Sequence, residues 1–548
     1  MLLVPKSVTC MKGYTKEQFT KDFISGIIVA IIALPLSIAL AIASGVSPEK
    51  GLYTAIIGGF IVSLLGGSRV QIGGPTGAFV VIVYGIIQKY GLDGLIVSTI
   101  MAGIFLIIIG GLKLGSFIKF IPSSITTGFT SGIAITIFST QIKDLLGLKI
   151  QSVPSEFIGK WEAYIKNIGT TNLSSALIAL LTLAIIIAWP KINKKIPGTF
   201  VAIIIVTIIT VVFNLPINTI GKQFGHISSS LPSFSMPKIN MRMINELLMP
   251  SLTIAILGGV ESLLSAVVAD GMIGGKHRSN MELIAQGTAN IFSAAFGGIP
   301  VTGAIARTAA NVKNGGRTPV AGMVHSLGLL VILLVCMPYV KLVPMSALAA
   351  VLVMVSYNMG EWSAFKDIFK APKSDSLVFI VTFILTIVLD LVVAIGVGVV
   401  LASLLFMKKM AEVTEVKYIL DDDVSEYEEN FINDQENLEE GVAVFEITGP
   451  FFFGAANKFV SAITEMGAPP KVLIIKMSKV PYMDSTAYHS FEMLTDICKS
   501  NNTTLKIMDV QEQPMKMLRK YGFIDIIGEE NICDNIEQSA FGENEKVS

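Results

Sequence analysis

The sequence predicts an α-helical polytopic membrane protein followed by a small α/β domain, and three observations carry that expectation. Of the 548 residues, 52% are hydrophobic and only 15% charged, where an ordinary soluble domain has about 25% charged residues. From residue 23 to residue 411 the apolar residues gather into runs of roughly 20 with almost no charge, the length that crosses a bilayer as a helix. The formal net charge of zero hides a partition: residues 1–411 hold 30 basic and 15 acidic side chains, and residues 412–548 hold 11 and 26. This composition excludes a disordered chain and a nucleic-acid binder that relies on a global basic excess. Cys10, Cys336, Cys498 and Cys533 have no C-x-x-C or metal-ligand spacing and read as separate free thiols. The four histidines are scattered, and neither a catalytic cluster nor a cofactor site is expected.

The elements follow in order. Residues 1–22 carry charge and have no apolar core of their own, so they read as a cytoplasmic segment and not as a signal peptide. Apolar runs come next at Ile24–Ala43, Leu92–Leu112, Ser174–Trp189, Pro197–Phe213, Pro250–Ala269, Val320–Met337 and Leu377–Leu389. With shorter or broken runs between them, the transmembrane part (23–411) is expected to hold about fourteen spans. Lys6, Lys12, Lys16 and Lys21 precede the first run, which places the N-terminus inside. Lys113 and Lys119, then Lys191, Lys194 and Lys195, and later Lys276 and Arg278 repeat the bias at alternate joints. Lys408 and Lys409 leave the C-terminal part on the same side, which requires an even count. Asp390, inside the last apolar stretch, reads as a turn between adjacent spans.

The membrane part repeats itself. Residues 118–124 (IKFIPSS) return as residues 340–346 (VKLVPMS), offset by 222, and Thr76-Gly77-Ala78-Phe79 returns as Thr302-Gly303-Ala304-Ile305, offset by 226. The expected topology puts Lys119 inside and Lys341 outside, so the two halves are inverted relative to one another. That is a transporter architecture, with its substrate site expected where the repeats meet near the bilayer midplane.

Both copies of the Thr-Gly-Ala element lie in segments too rich in glycine to be plain spans. The first runs from Gln71 to Ala78 and the second from Gly297 through Pro300 to Ala304, leading to Ala306 and Arg307. Gly and Pro stop a helix there and allow a new one to start. Two half-helices whose N-termini meet would offer free N–H groups and two positive dipole ends to one place, an anion site by geometry. Close helix packing through glycine is the structural alternative. Arg307 supports the anion reading, since a charge within the membrane is costly unless paired or used. Glu261 falls about midway along the run 250–270, at the position that the 226 offset matches to Pro35, and is a candidate proton site. Ser265 follows at i+4 on the same face, and a carboxylate with a hydroxyl can also form part of a sodium site. Gln71 is a further candidate to hydrogen-bond the anion, and Phe79 a candidate apolar wall. Asp270 reads as a cap or loop residue.

The composition changes after Lys409. Residues 412–440 form an acidic linker, and residues 441–548 a second folded unit. Residues 441–447, 471–477 and 504–509 read as strands, with helices over 455–466, 485–500 and 514–521.

These residues also carry a family resemblance. Ala33-Leu34-Pro35-Leu36-Ser37, Gly66-Gly67-Ser68-Arg69, Gly74-Pro75-Thr76-Gly77-Ala78-Phe79 and residues 302–309 (TGAIARTA) resemble the sulfate permease (SulP) family of anion transporters. Pro481-Tyr482-Met483-Asp484-Ser485-Thr486 resembles the loop before a helix of the STAS domain. The resemblance implies a seven-plus-seven inverted repeat split into core and gate domains, dimeric, and working by an elevator-like movement. It puts the anion between the facing ends of the third and tenth spans, here near Thr76–Phe79 and Gly303–Ala306, and the acidic position of the eighth span on Glu261. Sodium-coupled bicarbonate members place Asp and Thr where Glu261 and Ser265 stand, and Thr at Ile305, which favours proton coupling or exchange here. In free-standing STAS proteins the serine after the aspartate is phosphorylated, which falls on Ser485; the structural reading is a helix N-cap at Asp484 or Ser485.

The expectation is a secondary active transporter of a small inorganic anion in the inner (plasma) membrane, both termini cytoplasmic, with sulfate ahead of bicarbonate and dicarboxylates. It is expected to be a homodimer with a cytoplasmic partner for the STAS domain, and neither an enzyme nor a nucleic-acid binder. The rivals are a membrane-anchored, anion-sensing regulator acting through the STAS domain, and a nucleobase:proton symporter of the same fold.

Overall fold

The computed structural model describes residues 3–533, apart from 12, 117–121, 151–152, 155, 194–195, 226–228, 235–236, 238–239, 369, 390, 419–440, 453, 455–458, 462 and 464–468. Lys12, Lys119, Lys194, Lys195, Asp390, most of the acidic linker and most of the helix expected at 455–466 therefore lie outside the described residues. The chain divides into two compact units, Met1–Val400 and Leu401–Ser548.

In the first unit α1 (Lys6–Cys10) precedes α2 (Lys16–Ala43), which starts where the Thr15 hydroxyl accepts the Gln18 N–H. Then come α3 (Pro48–Tyr53), a π turn (Thr54–Gly58) and α4 (Gly59–Leu65) as one segment. The two-residue strand β1 (Gly73–Gly74) and a 3-10 turn (Gly77–Phe79) lead into α5 (Val80–Gly111). Helix α5 breaks at Gly91, whose φ of 66° and ψ of -165° suit glycine alone. The first half closes with α6 (Ser123–Leu146), α7 (Phe157–Asn167), α8 (Leu173–Ile192), α9 (Gly198–Val212) and α10 (Ile220–Phe224). The second half holds α11 (Met241–Ile273), α12 (Ser279–Ala295), β2 (Thr302–Gly303), α13 (Ile305–Lys313) and α14 (Pro319–Val340). It ends with α15 (Met345–Met359), α16 (Trp362–Ile368), α17 (Lys373–Val388) and α18 (Leu391–Val413).

Six of the described helices are by themselves long and apolar enough to cross a bilayer. With α3–α4 taken as one segment, α5 as two, and the short α1, α7, α10 and α16 set aside, fourteen helical segments run through the described residues. They sort into two bundles: α2, α4, α5 and α11–α14 pack on one another, and α6, α8, α9, α15 and α17 form the other. Within the first, α5 and α12 touch at Gly103 and Gly287, where a Cβ on either would overlap the carbonyl oxygen of the other. The repeat is visible in the caps, because Pro122 stands at the N-cap of α6 and Pro344 at that of α15.

The second unit is built on a five-stranded sheet in the order β3-β4-β5-β6-β7. Strands β4 (Val442–Thr448), β5 (Val472–Lys479), β6 (Thr504–Met508) and β7 (Ile532–Cys533) are parallel, with α19 (Ser485–Ser500) and α20 (Glu512–Lys520) among the crossovers. Phe445, Ile475, Phe491 and Phe523 meet in its core. The expected strands and the later two helices fall here within two residues. The linker boundary needs correction: β3 (Glu415–Tyr418), inside the stretch assigned to the linker, pairs antiparallel with β4 and belongs to the folded unit. Four residues of alternating Glu, Val, Lys and Tyr become a strand only because β4 presents an open edge.

Candidate anion-binding site

The two Thr-Gly-Ala elements meet. β1 and β2 pair antiparallel, with Gly73 opposite Gly303 and Gly74 opposite Thr302. Since the paired segments run in opposite directions, the helices that follow diverge from the bridge, and their N-termini face each other across it. The N–H groups at the start of Gly77–Phe79 and of Ile305–Arg307 have no acceptor within their own turns. Thr76, Ala78 and Phe79 are buried, as are Thr302, Gly303 and Ala304, whereas Ile305 and Ala306 are exposed and form the open edge of the site.

Arg307 lies across the bridge. Its Nη2 donates to the Pro75 carbonyl at 2.8 Å, while Nη1 is buried with no hydrogen-bond partner. A Cβ on Gly74 would collide with Nη1, so that glycine is required for the guanidinium to lie where it does.

Helix α11 supplies the third wall through Gly258, Glu261, Ser262 and Ser265, one helical face. The Thr76 hydroxyl donates to Glu261 Oε2 at 2.9 Å, and its repeat counterpart Thr302 donates to the Gly258 carbonyl at 2.8 Å. Among the described residues no ion pair joins Glu261 to Arg307, so the arrangement is not a structural salt bridge. The ring of Phe79 packs against Gly258, as an apolar wall should.

Two candidates take other roles. Gln71 gives its amide N–H groups to the carbonyl and hydroxyl of Ser262, at 3.2 and 2.8 Å, and lies so close to Gly303 that a Cβ there would overlap it. With its donors used, it braces β1 on α11. Ser265 is fully buried and donates to Thr308 Oγ1 at 3.3 Å, away from Glu261. Thr308 in turn accepts the Ile72 N–H. Asp270, expected as a cap or loop residue, instead lies inside the last turn of α11, which runs on to Ile273 with Gly274 as its C-cap, and its Oδ2 accepts the His277 N–H at 2.7 Å.

The bracing shell escaped sequence reasoning. Glu282 is fully buried and accepts the N–H groups of Gly67 and Ser68 at 2.7 and 3.0 Å, the Gln286 amide at 2.9 Å and the Ser262 hydroxyl at 3.3 Å. Asn290 holds Val301 on both sides, accepting its N–H at 3.0 Å and donating to its carbonyl at 2.8 Å, as a strand partner would. Asn311 donates to the Val70 carbonyl at 2.8 Å. Glu282, Gln286 and Asn290 recur every fourth residue on α12, a polar stripe in an apolar helix that was there to be found. In the second unit, Asp484 Oδ1 accepts the Ala487 N–H at 2.9 Å, so the N-cap of α19 is Asp484, and Ser485 is exposed beside it.

Comparison with known proteins bears on the family and the fold. The model of the sulfate permease family matches residues 19–382, and that of the STAS domain residues 437–539. YvdB of Bacillus subtilis (strain 168), provisionally named a sulfate transporter, is 41% identical over 530 residues, 96% of this chain and 98% of its own length. The bicarbonate transporter BicA of Picosynechococcus is 30% identical over 513 residues, 91% of this chain and 90% of its own. Among solved structures, the transmembrane domain of a cyanobacterial BicA superposes with a TM-score of 0.65 at 30% identity, covering 72% of this chain and all of that one. SLC26A9 gives a TM-score of 0.85 over 98% of this chain and 92% of its own, a likeness of fold at 18% identity.

Proposed function

The chain belongs to the sulfate permease family of anion transporters, and from that premise we propose that it carries sulfate as a secondary active transporter, proton-coupled or exchanging. The observation that supports a direct role for the bridge is the buried, unpartnered Arg307 Nη1 beside two helix N-termini. Backbone N–H groups of Gly77–Phe79 and Ile305–Arg307 cradle the oxyanion, and Arg307 adds a fixed positive charge where little water competes. The donors of the site recognise oxygen atoms generally, so bicarbonate is the second reading, favoured by the likeness to BicA. Dicarboxylates follow.

Glu261 is the proposed coupling residue. Through Thr76 it touches the turn that would hold the anion, so a proton taken there alters the charge the anion meets. Sodium coupling is less well supported, because Ser265 turns to Thr308. The first bundle would carry the bridge past the second in an elevator-like movement, within a homodimer in the plasma (inner) membrane, both termini cytoplasmic. Ser485, exposed at the start of α19, is the proposed contact or phosphorylation point for a cytoplasmic partner of the STAS domain.

Uptake into proteoliposomes with labelled sulfate, bicarbonate and fumarate, each with and without pH and sodium gradients, tests the reading. Sulfate uptake driven by an inward proton gradient, or by counter-anion, is expected. Uptake of labelled uracil that none of these anions compete with would overturn the anion assignment. Uptake that survives removal of residues 412–548 distinguishes a carrier from a regulator that works through the tail.

A further inference from the structure

We infer that the chain holds a second anion site, centred on Lys160, in a cavity that leads to the bridge; the inference rests on the anion-carrier reading and extends it. The cavity is about 610 Å³ and is walled by α5, α6, α7, α11, α17 and α18. Lys160, on the short helix α7, is only 3% exposed, yet it lines this space. Its Nζ stands over the Tyr84 ring, 5.9 Å from the centroid. Among the described residues no carboxylate lies within ion-pair distance of it.

A lysine so little exposed opens its ammonium only to the cavity, gives up part of its hydration and favours a negative partner there. The acids on the cavity do not supply one. Glu246 is held by Arg242 at 2.9 Å, and Glu156, one turn before Lys160 on the chain, forms no ion pair with it among the described residues. Helix α7 is itself fastened, since Trp161 Nε1 donates to Ser139 Oγ on α6 at 3.1 Å, so Lys160 is a placed charge and not a floating one. The partner that fits is a small inorganic oxyanion, the class that the bridge would carry.

The cavity adjoins the bridge. Val80, which lines it, directly follows the turn Gly77–Phe79. Ile133 also lines it, and one turn on along α6 the Cδ1 of Ile137 comes within 2.8 Å of where a Gly77 Cβ would stand. An anion beside Lys160 is thus parted from the bridge by Val80, Ile133 and Ile137, and waits at the outer mouth in the orientation proposed above.

The test uses the full chain in proteoliposomes of fixed orientation, with labelled sulfate presented from either face. Lys160→Gln is expected to raise the half-saturation concentration from the outer face by roughly tenfold, at the low end of what a charged cleft contributes to local ligand concentration. The inner-face value should move less, and Lys160→Arg should restore the outer one. An unchanged outer value, or equal shifts at both faces, overturns the proposal. A second measurement does not depend on transport. With Cys336→Ser as background and Lys160 kept, Thr140→Cys on the same cavity should react with an anionic methanethiosulfonate from outside, and external sulfate should slow the reaction. Labelling that sulfate leaves unaffected would remove the site even if sulfate uptake, and with it the carrier reading, stood.

Discussion

The Thr76 hydroxyl donates to Glu261 Oε2 at 2.9 Å, tying the turn that starts one half-helix to the carboxylate of α11. The link lets one group report the state of the other. Glu261→Gln is expected to cut pH-gradient-driven sulfate uptake by about tenfold or more, the factor for one lost charge-assisted hydrogen bond, while counterflow exchange persists. Unchanged pH-driven uptake in that variant would exclude Glu261 as the proton site.

Thr76→Val keeps the volume and removes the donor. The half-saturation concentration for sulfate should rise about tenfold or more, the range for a hydrogen bond to a charged group. A wild-type value would show that the hydroxyl does not orient the site.

The guanidinium of Arg307 lies on Gly74 because no side chain stands there. Gly74→Ala is therefore expected to abolish uptake as Arg307→Gln does, with both variants eluting from size exclusion as the wild type does. Arg307→Lys should not rescue, since one ammonium cannot both hold the Pro75 carbonyl and face the anion. Full activity in Gly74→Ala would mean that the guanidinium has another resting place.

Glu282 gathers four donors from three segments around the loop Gly67–Ser68. Glu282→Gln replaces acceptor oxygen by an N–H₂ group facing other donors, and should destabilise the detergent-solubilised protein by about 2 kcal/mol. Thermal unfolding followed by tryptophan fluorescence measures it, and an unshifted midpoint would contradict the bracing role.

The edge strand β3 gives the tail a testable boundary. A fragment of residues 414–548 is expected to unfold cooperatively. One beginning at 441 leaves the edge of β4 open and uncovers the core beside Val416, losing roughly 2 kcal/mol and tending to aggregate. Equal stability of the two fragments would return residues 415–418 to the linker.

Burial pushes the Cys498 thiol up to about 11. With its pKa raised, the thiol stays protonated up to that pH, and at pH 8 only about one molecule in a thousand carries the thiolate. Alkylation of Cys498 in the folded chain should be far slower than after denaturation; equal rates would show the tail to be open there.

Much of this protein was legible before any fold was built. The apolar runs 24–43 and 250–269 lie in α2 and α11, and the two Thr-Gly-Ala elements, 226 residues apart, meet in one bridge. The site residues divided differently. Arg307 and Glu261 reach the bridge, because a charge in an apolar run must have an occupation. Gln71 and Ser265 are polar residues in the same segments, and both have their donors used by the fold. The sequence shows which groups are polar, but not which are already satisfied.

By itself the sequence determined the class of molecule, the change from apolar spans to an acidic tail and the two helix-breaking Thr-Gly-Ala elements. Hydropathy, charge and helix-breaking residues act locally, and their sum along the chain can be read in order. The tertiary structure alone decided who braces whom. Gln71 meets Ser262 across 191 positions, Ile72 meets Thr308 across 236, and Gly67 meets Glu282 across 215. A hydrogen bond depends on distance and angle in space, and nothing local in those residues announces the partner. Lys160 is the same case: a lysine in a short polar helix is unremarkable in sequence, and acquires meaning only once the fold buries it with no ion-pair partner among the described residues.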